Sequence, residues 1–442
     1  MPLIDWQEPL ADIAYESLKK YRFFLNACTT GSGKTYVCCE TMARLKAPTL
    51  VVAPKAALTQ WRRVAEDFGV GQYLLDVINP EQISKPSGCQ WYSRDELWKI
   101  PENTTVVFDE IHRGASGIYK TPKAGAKTKS VTTRAVAELK AFPGARLHAM
   151  SATPACDPLH MQALGYWVGM HNFNESSFHN WCRKMGCNNV RIAGRNKLVF
   201  TTNKKDSTRF MREIRQQFGD RFLALGPEDI PGFPEQTLAT KLLDLNKRDR
   251  AEINAAYAAM SERMKKDPTC DMAKNNKERE RIEFVMAEAL AEQAANLMED
   301  GNSVVQFFNF TEPRERFTEA LRKISKTGIS EIYGCQKSDR QEQIDLFQAN
   351  INHIVVVNVE AGGAALSLHD ENHERMRVSL LIPSHNAASM KQAPGRIRRV
   401  GGTHSIVYYV MAAGTIQERV KRSLDRKLSN IDALNMADLL PT

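Results

Sequence analysis

The sequence predicts an α/β protein built as two parallel-sheet lobes with a mostly helical insertion between them. Three observations predict it. Short apolar runs alternate with helical stretches from residue 1 to about 170, the pattern turns helical from 171 to 300, and the alternation returns from 301 to 442. Apolar runs that brief, spaced by helices, read as parallel strands covered on both faces. The expected division is therefore 1–170 for the first lobe, 171–300 for the insertion and linker, and 301–442 for the second lobe with a C-terminal helix.

In the first zone the strand candidates are Phe23-Phe24-Leu25, Leu50-Val51-Val52, Val106-Val107-Phe108 and Leu147-His148-Ala149-Met150. A helical run over 35–46 follows the first of them. In the middle zone, 247–265 and 277–299 are rich in Ala, Glu, Lys, Arg and Met, and Pro268 falls in the polar break between them. The later strand candidates are Val304-Val305-Gln306-Phe307, Ile354-Val355-Val356-Val357, Val378-Ser379-Leu380-Leu381 and Ile406-Val407-Tyr408-Tyr409-Val410. Residues 415–440 read as an amphipathic helix that braces the lobes.

Composition narrows the class. The chain has 442 residues, 43% hydrophobic and 25% charged, which excludes a disordered scaffold and a disulfide miniprotein. No run of about 18 apolar residues is present, so no transmembrane helix and no membrane partner are expected. Asp5 and Glu8 occupy the stretch where a signal peptide needs bases, and nine cysteines without a CxxC pair fit a reduced, intracellular compartment. Sixty Lys and Arg against 51 Asp and Glu give a net charge of +9, which favours a polyanionic partner. The excess is local: residues 113–146 hold eight bases and the one acid Glu138. Within that window, Gly114 to Ser130 consists largely of Gly, Ala, Ser, Thr and Lys. It reads either as a loop that touches phosphates, through Lys120 and Lys123, or as a solvated linker.

The strongest chemical signal is Thr30-Gly31-Ser32-Gly33-Lys34-Thr35 between a strand and a helix. In that setting glycines let backbone N–H groups wrap phosphates at a helix N-terminus. Lys34 would reach the β- and γ-phosphates of a nucleotide, and the Thr35 hydroxyl would ligate Mg²⁺. The full pattern has glycine at position 28, where this chain has Cys28. Downstream, the apolar strand Val106-Val107-Phe108 ends in Asp109 and Glu110. A Mg²⁺-dependent nucleotide hydrolase needs that pair: Asp109 to hold the metal, Glu110 to polarise the attacking water. His179, Cys182 and Cys187, with His171 nearby, have plausible metal spacing, but no second thiolate pair closes a tetrahedral site, so they read as core residues.

Asp109-Glu110-Ile111-His112 resembles the DExH signature of superfamily-two helicases and translocases, and further motifs follow in that family's order. Gln7 resembles its adenine-reading glutamine, and Val51-Val52-Ala53-Pro54-Lys55, with Trp61 after it, its first nucleic-acid motif. Ser151-Ala152-Thr153-Pro154 is similar to its coupling motif. Phe307-Phe308-Asn309-Phe310-Thr311, Glu360-Ala361-Gly362-Gly363-Ala364-Ala365-Leu366 and Gln392-Ala393-Pro394-Gly395-Arg396-Ile397-Arg398-Arg399 are similar to motifs of its second lobe. The last two look most like the Swi/Snf-type DNA translocases, although Ala365 replaces a glycine.

The resemblance implies two RecA-like lobes with ATP and Mg²⁺ between them. It implies Gln7 and Gly363 as further nucleotide contacts, and His112, Ser151, Thr153 and Gln392 as couplers of hydrolysis to motion. Arg396 and Arg399 are implied as cations acting on the transition state; if their segment is helical, both can face one cleft. Lys55, Asn309 and Thr311 are implied as backbone contacts to nucleic acid. The expected activity is that of a DNA-stimulated ATPase, a helicase or translocase that remodels double-stranded, forked or branched DNA. A compact bacterial or phage member is expected, monomeric and cytoplasmic, working beside single-stranded-DNA-binding or recombination proteins. The alternative is an RNA helicase or the motor subunit of a larger defence or restriction complex.

Overall fold

The computed structural model describes residues 3–435 except 86, 94, 96, 121–129, 193–194, 201–202, 267–274, 335–338, 359–365 and 385. The chain divides into two compact units, one of residues 1–190, 197–231 and 427–442, the other of residues 191–196 and 232–426.

The first unit is built on six parallel strands: β1 (Phe23–Asn26), β2 (Thr49–Val52), β3 (Leu74–Ile78), β4 (Thr105–Asp109), β5 (Arg146–Met150) and β6 (Phe222–Leu223), in the spatial order β6-β1-β5-β4-β2-β3. The central strands are apolar and buried on both faces, as parallel sheets covered by helices require. Phe23, Leu25, Val106, Phe108, Leu147 and Ala149 lie in one core cluster with Trp167 and Phe218. Val51 and Val107 lie in another with Trp61 and Met150. The helix expected over 35–46 runs Lys34–Leu45 and stops where Lys46 turns left-handed (φ 49°), its N–H donating to the Met42 carbonyl.

The second unit repeats the plan with β7 (Gln236–Leu243), β8 (Ser303–Phe308), β9 (Ile329–Ile332), β10 (Ile354–Asn358), β11 (Arg377–Leu381) and β12 (Ser405–Ala412), ordered β7-β12-β11-β8-β10-β9 and again parallel. Two parallel α/β sheets are the RecA-like pair that the resemblance implies. The long helices Lys247–Lys266 and Asn276–Glu299 stand where the composition placed them. The second packs through Met286, Leu290 and Ala294 into the core that holds Val304 and Phe308.

The zone 171–300 is less of an insertion than its composition indicates. It supplies an edge strand to each sheet, β6 to the first and β7 to the second. Both escape pattern reading: β6 is two residues long, and β7 leaves Leu238 and Leu242 more than half exposed beside Thr and Lys. Edge strands need not follow the buried-run rule. The C-terminal helix is Gln417–Asn435, and its Ala433 and Leu434 belong to the first unit's core. Among the described residues, no helix is long and apolar enough to cross a membrane.

Candidate active site

Asn26 of β1 and Asp109 of β4 both pair with Met150 of β5, so three strands end in one row. The loops leaving that row carry the glycine-rich segment, the two carboxylates and Ser151. Ligands of open α/β sheets bind at such carboxyl ends.

The glycine-rich loop turns through Gly31 (φ 88°) and Gly33 (φ 75°), left-handed positions that glycine fills without strain. Position 33 is closed for a second reason. A Cβ there would come within 2.3 Å of Gln7 Nε2. Gln7 is buried and donates from that nitrogen to the Ser32 carbonyl at 3.1 Å, while its Oε1 accepts from the Ile4 N–H at 3.3 Å. The glutamine 25 residues upstream is thus part of the loop's wall. Lys34 Nζ donates to the carbonyls of Cys28 (2.9 Å) and Thr29 (3.0 Å), which holds its ammonium over the loop. Ser32 Oγ is buried with no hydrogen-bond partner, a spare polar group suited to a phosphate oxygen. Thr30 and Thr35 are half-buried on either side. Cys28 replaces glycine without penalty because its φ is not left-handed. Burial pushes its thiol up to about 11, so it remains protonated.

Burial, and then the neighbouring Glu110, raise the Asp109 carboxyl to about 6, while the Trp61 indole and Lys34 act the other way. Trp61 Nε1 donates to Asp109 Oδ2 at 3.0 Å. A half-buried carboxylate beside a second acid is short of positive charge, and Asp109 with the Thr35 hydroxyl offers the hard oxygen donors that Mg²⁺ takes. Glu110 sits at φ 52°, ψ 50° as it enters the helix Ile111–Ala115, a strained setting for a residue with a side chain.

His112 gathers the coupling residues. Its Nδ1 lies 2.8 Å from Ser151 Oγ, 3.4 Å from Thr153 Oγ1 and 3.3 Å from Glu110 Oε2. Ser151 Oγ also accepts from the Thr153 N–H at 3.0 Å and lies 3.5 Å from Glu110 Oε2. Burial, then Arg113, lower the His112 ring to about 3, so it is neutral and meets Glu110 by hydrogen bonding rather than as an ion pair. If Nδ1–H donates to Ser151, that hydroxyl is free to donate to Glu110, which gives a directed hydrogen-bond line from His112 through Ser151 to the Glu110 carboxylate.

In the second unit, Asn309 follows β8 and Thr311 opens the helix Thr311–Ile324. Asn309 is not a free amide. Its N–H donates to Glu283 Oε2 at 2.9 Å and its Nδ2 to Glu283 Oε1. Arg396 is buried, its carbonyl accepts the Leu368 N–H at 2.9 Å, and Arg399 Nη2 donates to the Leu366 carbonyl at 2.9 Å. The segment is not the continuous helix that would align the two arginines: Pro394 and Gly395 confine it to the single 3-10 turn Pro394–Arg396. Gln392 is buried at the end of the helix Ala387–Gln392, and its Nε2 has no hydrogen-bond partner. Lys55 and Thr311 are exposed, and Lys120 pairs with Glu175 at 2.6 Å. Lys123 and Gly363 lie outside the described residues. Cys182 and Cys187 are buried and the His171 ring packs on Phe178 and Trp181, so these three are core residues, whereas His179 is half-buried, 3.9 Å from Glu175.

Sequence reasoning missed Trp61 as a partner of Asp109 and Glu283 as the anchor of Asn309. Nothing in the local sequence signals either pair. Burial pushes the Glu283 carboxyl up from 4.5 to about 7. A carboxyl raised on folding contributes its full stability below about pH 4.5 and loses it as pH rises toward 7, on the order of 2–3 kcal/mol. Urea midpoints followed across that window should fall more steeply for the wild type than for Glu283→Gln, in which the raised Asp109 carboxyl still titrates. Parallel curves would assign the titration to another group.

The model of the family described as "Type III restriction enzyme, res subunit" matches residues 1–156. A protein of Acanthamoeba polyphaga mimivirus named as an ATP-dependent RNA helicase is 27% identical over 460 residues, covering 96% of this chain and 81% of its own. The human DNA excision repair protein ERCC-6-like is 33% identical over 86 residues, which span 19% of this chain and 7% of that protein. Among solved structures, the Sulfolobus solfataricus SWI2/SNF2 ATPase core in complex with dsDNA is 15% identical, with a TM-score of 0.38 over 96% of this chain and 91% of that one. S. cerevisiae Dbp5 bound to RNA and ADP BeF3 is 11% identical, with a TM-score of 0.48 over 96% and 93%. The glycine-rich loop walled by Gln7, the paired carboxylates and the His112 cluster lie together in one unit. The chain is thus similar to ATP-dependent helicases: to the restriction-subunit family over its first 156 residues, and to the mimivirus protein over nearly its whole length.

Proposed function

We propose that this ATP-dependent motor tracks along DNA, in the manner of a compact bacterial or viral Swi/Snf-type translocase, and remodels forked or branched duplexes as a cytoplasmic monomer. The observation that carries the motor reading is the line Glu110–His112–Ser151–Thr153. It ties the group that polarises water to a loop able to shift when the γ-phosphate leaves.

In this reading Gln7 reads the base, and Thr30, Gly31, Ser32 and Gly33 line the phosphates. Lys34 neutralises the β- and γ-oxygens, and Gly363 is a further nucleotide contact. Thr35 and Asp109 hold Mg²⁺, which supplies positive charge to the phosphates when bound. Glu110 takes the proton of the attacking water, and Trp61 fixes the Asp109 carboxylate. Arg396 and Arg399 offset charge that grows on the γ-phosphoryl oxygens, and Gln392 relays their position. Lys55, Thr311, Lys120 and Lys123 contact backbone phosphates, giving salt-dependent rather than base-specific binding. The amide of Asn309 reaches a phosphate only if Glu283 releases it. The local match to a DNA excision repair protein supports DNA as the track. RNA is the second reading, because the mimivirus relative that covers nearly the whole chain is named as an RNA helicase.

ATP turnover with single-stranded, duplex, forked and four-way DNA, and with RNA, separates the two. Forked or four-way DNA should stimulate most. Stimulation by RNA alone would overturn the DNA reading while leaving the ATPase intact.

A further inference from the structure

Two residues beyond the coupling motif, Cys156, Asp157 and His160 converge. One ligand atom from each lies within 4.8 Å of the others, which no other group of three or more His, Cys, Asp or Glu does among the described residues. The chain makes the cluster locally. Asp157 caps the 3-10 turn Pro158–His160, its Oδ1 accepting the Leu159 N–H at 2.8 Å, and that turn swings His160 back toward Cys156. His160 Nδ1 stands 3.6 Å from Cys156 Sγ, and its Nε2 stands 3.9 Å from Asp157 Oδ2.

We propose that this cluster is a site for a borderline divalent transition metal, Zn²⁺ in the first instance. The donor set is one thiolate, one imidazole and one carboxylate, the mix that selects zinc over Mg²⁺ or Ca²⁺. The spacing agrees: Zn–S near 2.3 Å and Zn–N near 2.0–2.1 Å at a tetrahedral angle put sulfur and nitrogen about 3.5 Å apart. The carboxylate closes in by a side-chain rotation, and a solvent molecule completes four ligands. Asp157 and His160 are partly exposed, which leaves the metal a path in.

Neighbouring groups fit a metal as well. Asn430 Nδ2 donates to the Cys156 carbonyl at 3.1 Å, fixing the backbone that carries the sulfur, and Asn430 Oδ1 is buried without a hydrogen-bond partner. The opposing cation is Lys427, near enough to act on His160. A metal here clamps the segment directly after Ser151-Ala152-Thr153-Pro154, so this site is separate in residues and chemistry from the nucleotide site.

The test uses the full chain. Zn²⁺ titrated in competition with a chromophoric chelator should reach one equivalent, and Co²⁺ in its place should show a thiolate charge-transfer band. Zn²⁺ should also slow alkylation of Cys156, read by mass spectrometry on its peptide, while Cys89 is unaffected. Losing an outer-shell partner of a metal site costs about 10–100-fold in affinity, so Cys156→Ser and His160→Ala should each cost at least about 100-fold, and Cys89→Ser nothing. Unprotected Cys156, or wild-type affinity in Cys156→Ser, would overturn the site and leave a thiol–imidazole hydrogen bond only. The alkylation readout on wild-type protein stands even if a variant folds poorly.

Discussion

Lys34→Ala should give a folded protein that binds nucleic acid and does not turn over ATP. In the proposed site the lysine is a point charge on the phosphates, and removing one preorganised cation or donor from such a site costs about 10²–10³-fold in rate or more. Its structural duties are small. It donates to two loop carbonyls, those of Cys28 and Thr29, and each such bond contributes about 1 kcal/mol net. The helix that follows is anchored independently by the burial of Val37, Cys38, Cys39 and Met42. Phosphate release and thermal melting, measured together, check both halves of the expectation. Normal turnover in a protein that melts like the wild type would remove Lys34 from the catalytic set.

Arg399→Ala should lower kcat by about 10³-fold or more while changing ATP affinity little, because a cation that meets charge developing in the transition state contributes little to the ground state. The structure adds a complication with its own control. Arg399 also donates to the Leu366 carbonyl, so alanine loosens the neighbouring segment. Arg399→Lys keeps the charge but loses the planar fork that serves carboxylate and phosphate geometry. It should sit between wild type and alanine in kcat. Were ATP binding to weaken in both variants with normal turnover at saturation, Arg399 would be a brace for Leu366 and nothing more.

What the sequence made legible follows from the range of each interaction. The phosphate loop is a strand–turn–helix within 25 residues, so glycine placement and the helix start can be read directly, and Lys34 lands where the pattern puts it. His112 and Ser151 were legible only through resemblance, since their meeting with Glu110 depends on β4 and β5 being neighbours. Trp61 with Asp109 and Glu283 with Asn309 were not legible at all. Each pair is separated by 48 or 26 residues, and hydrogen bonds across that distance have no periodic signature. The strand β7 was missed for a different reason: at a sheet edge Thr237, Leu238, Thr240 and Leu242 are exposed, and the buried apolar run that marks an interior strand is absent. The condition for aligned arginines, a helical segment, is not met, because the residues around Arg396 form only the 3-10 turn Pro394–Arg396.

The row formed by the ends of β1, β5 and β4 has a practical corollary for the opposite rim of the same sheet. Strands of five residues hold that rim about 16 Å from the chemistry. Exposed Glu102 lies there, ahead of β4. Chain inserted at that position lengthens a turn that no phosphate, carboxylate or coupling residue touches, and loop closure of added residues is thermodynamically cheap. The first unit is therefore a cassette with a working face and a grafting face. Tethers, reporters or recognition modules can be spliced into the latter while the ATPase machinery keeps its geometry.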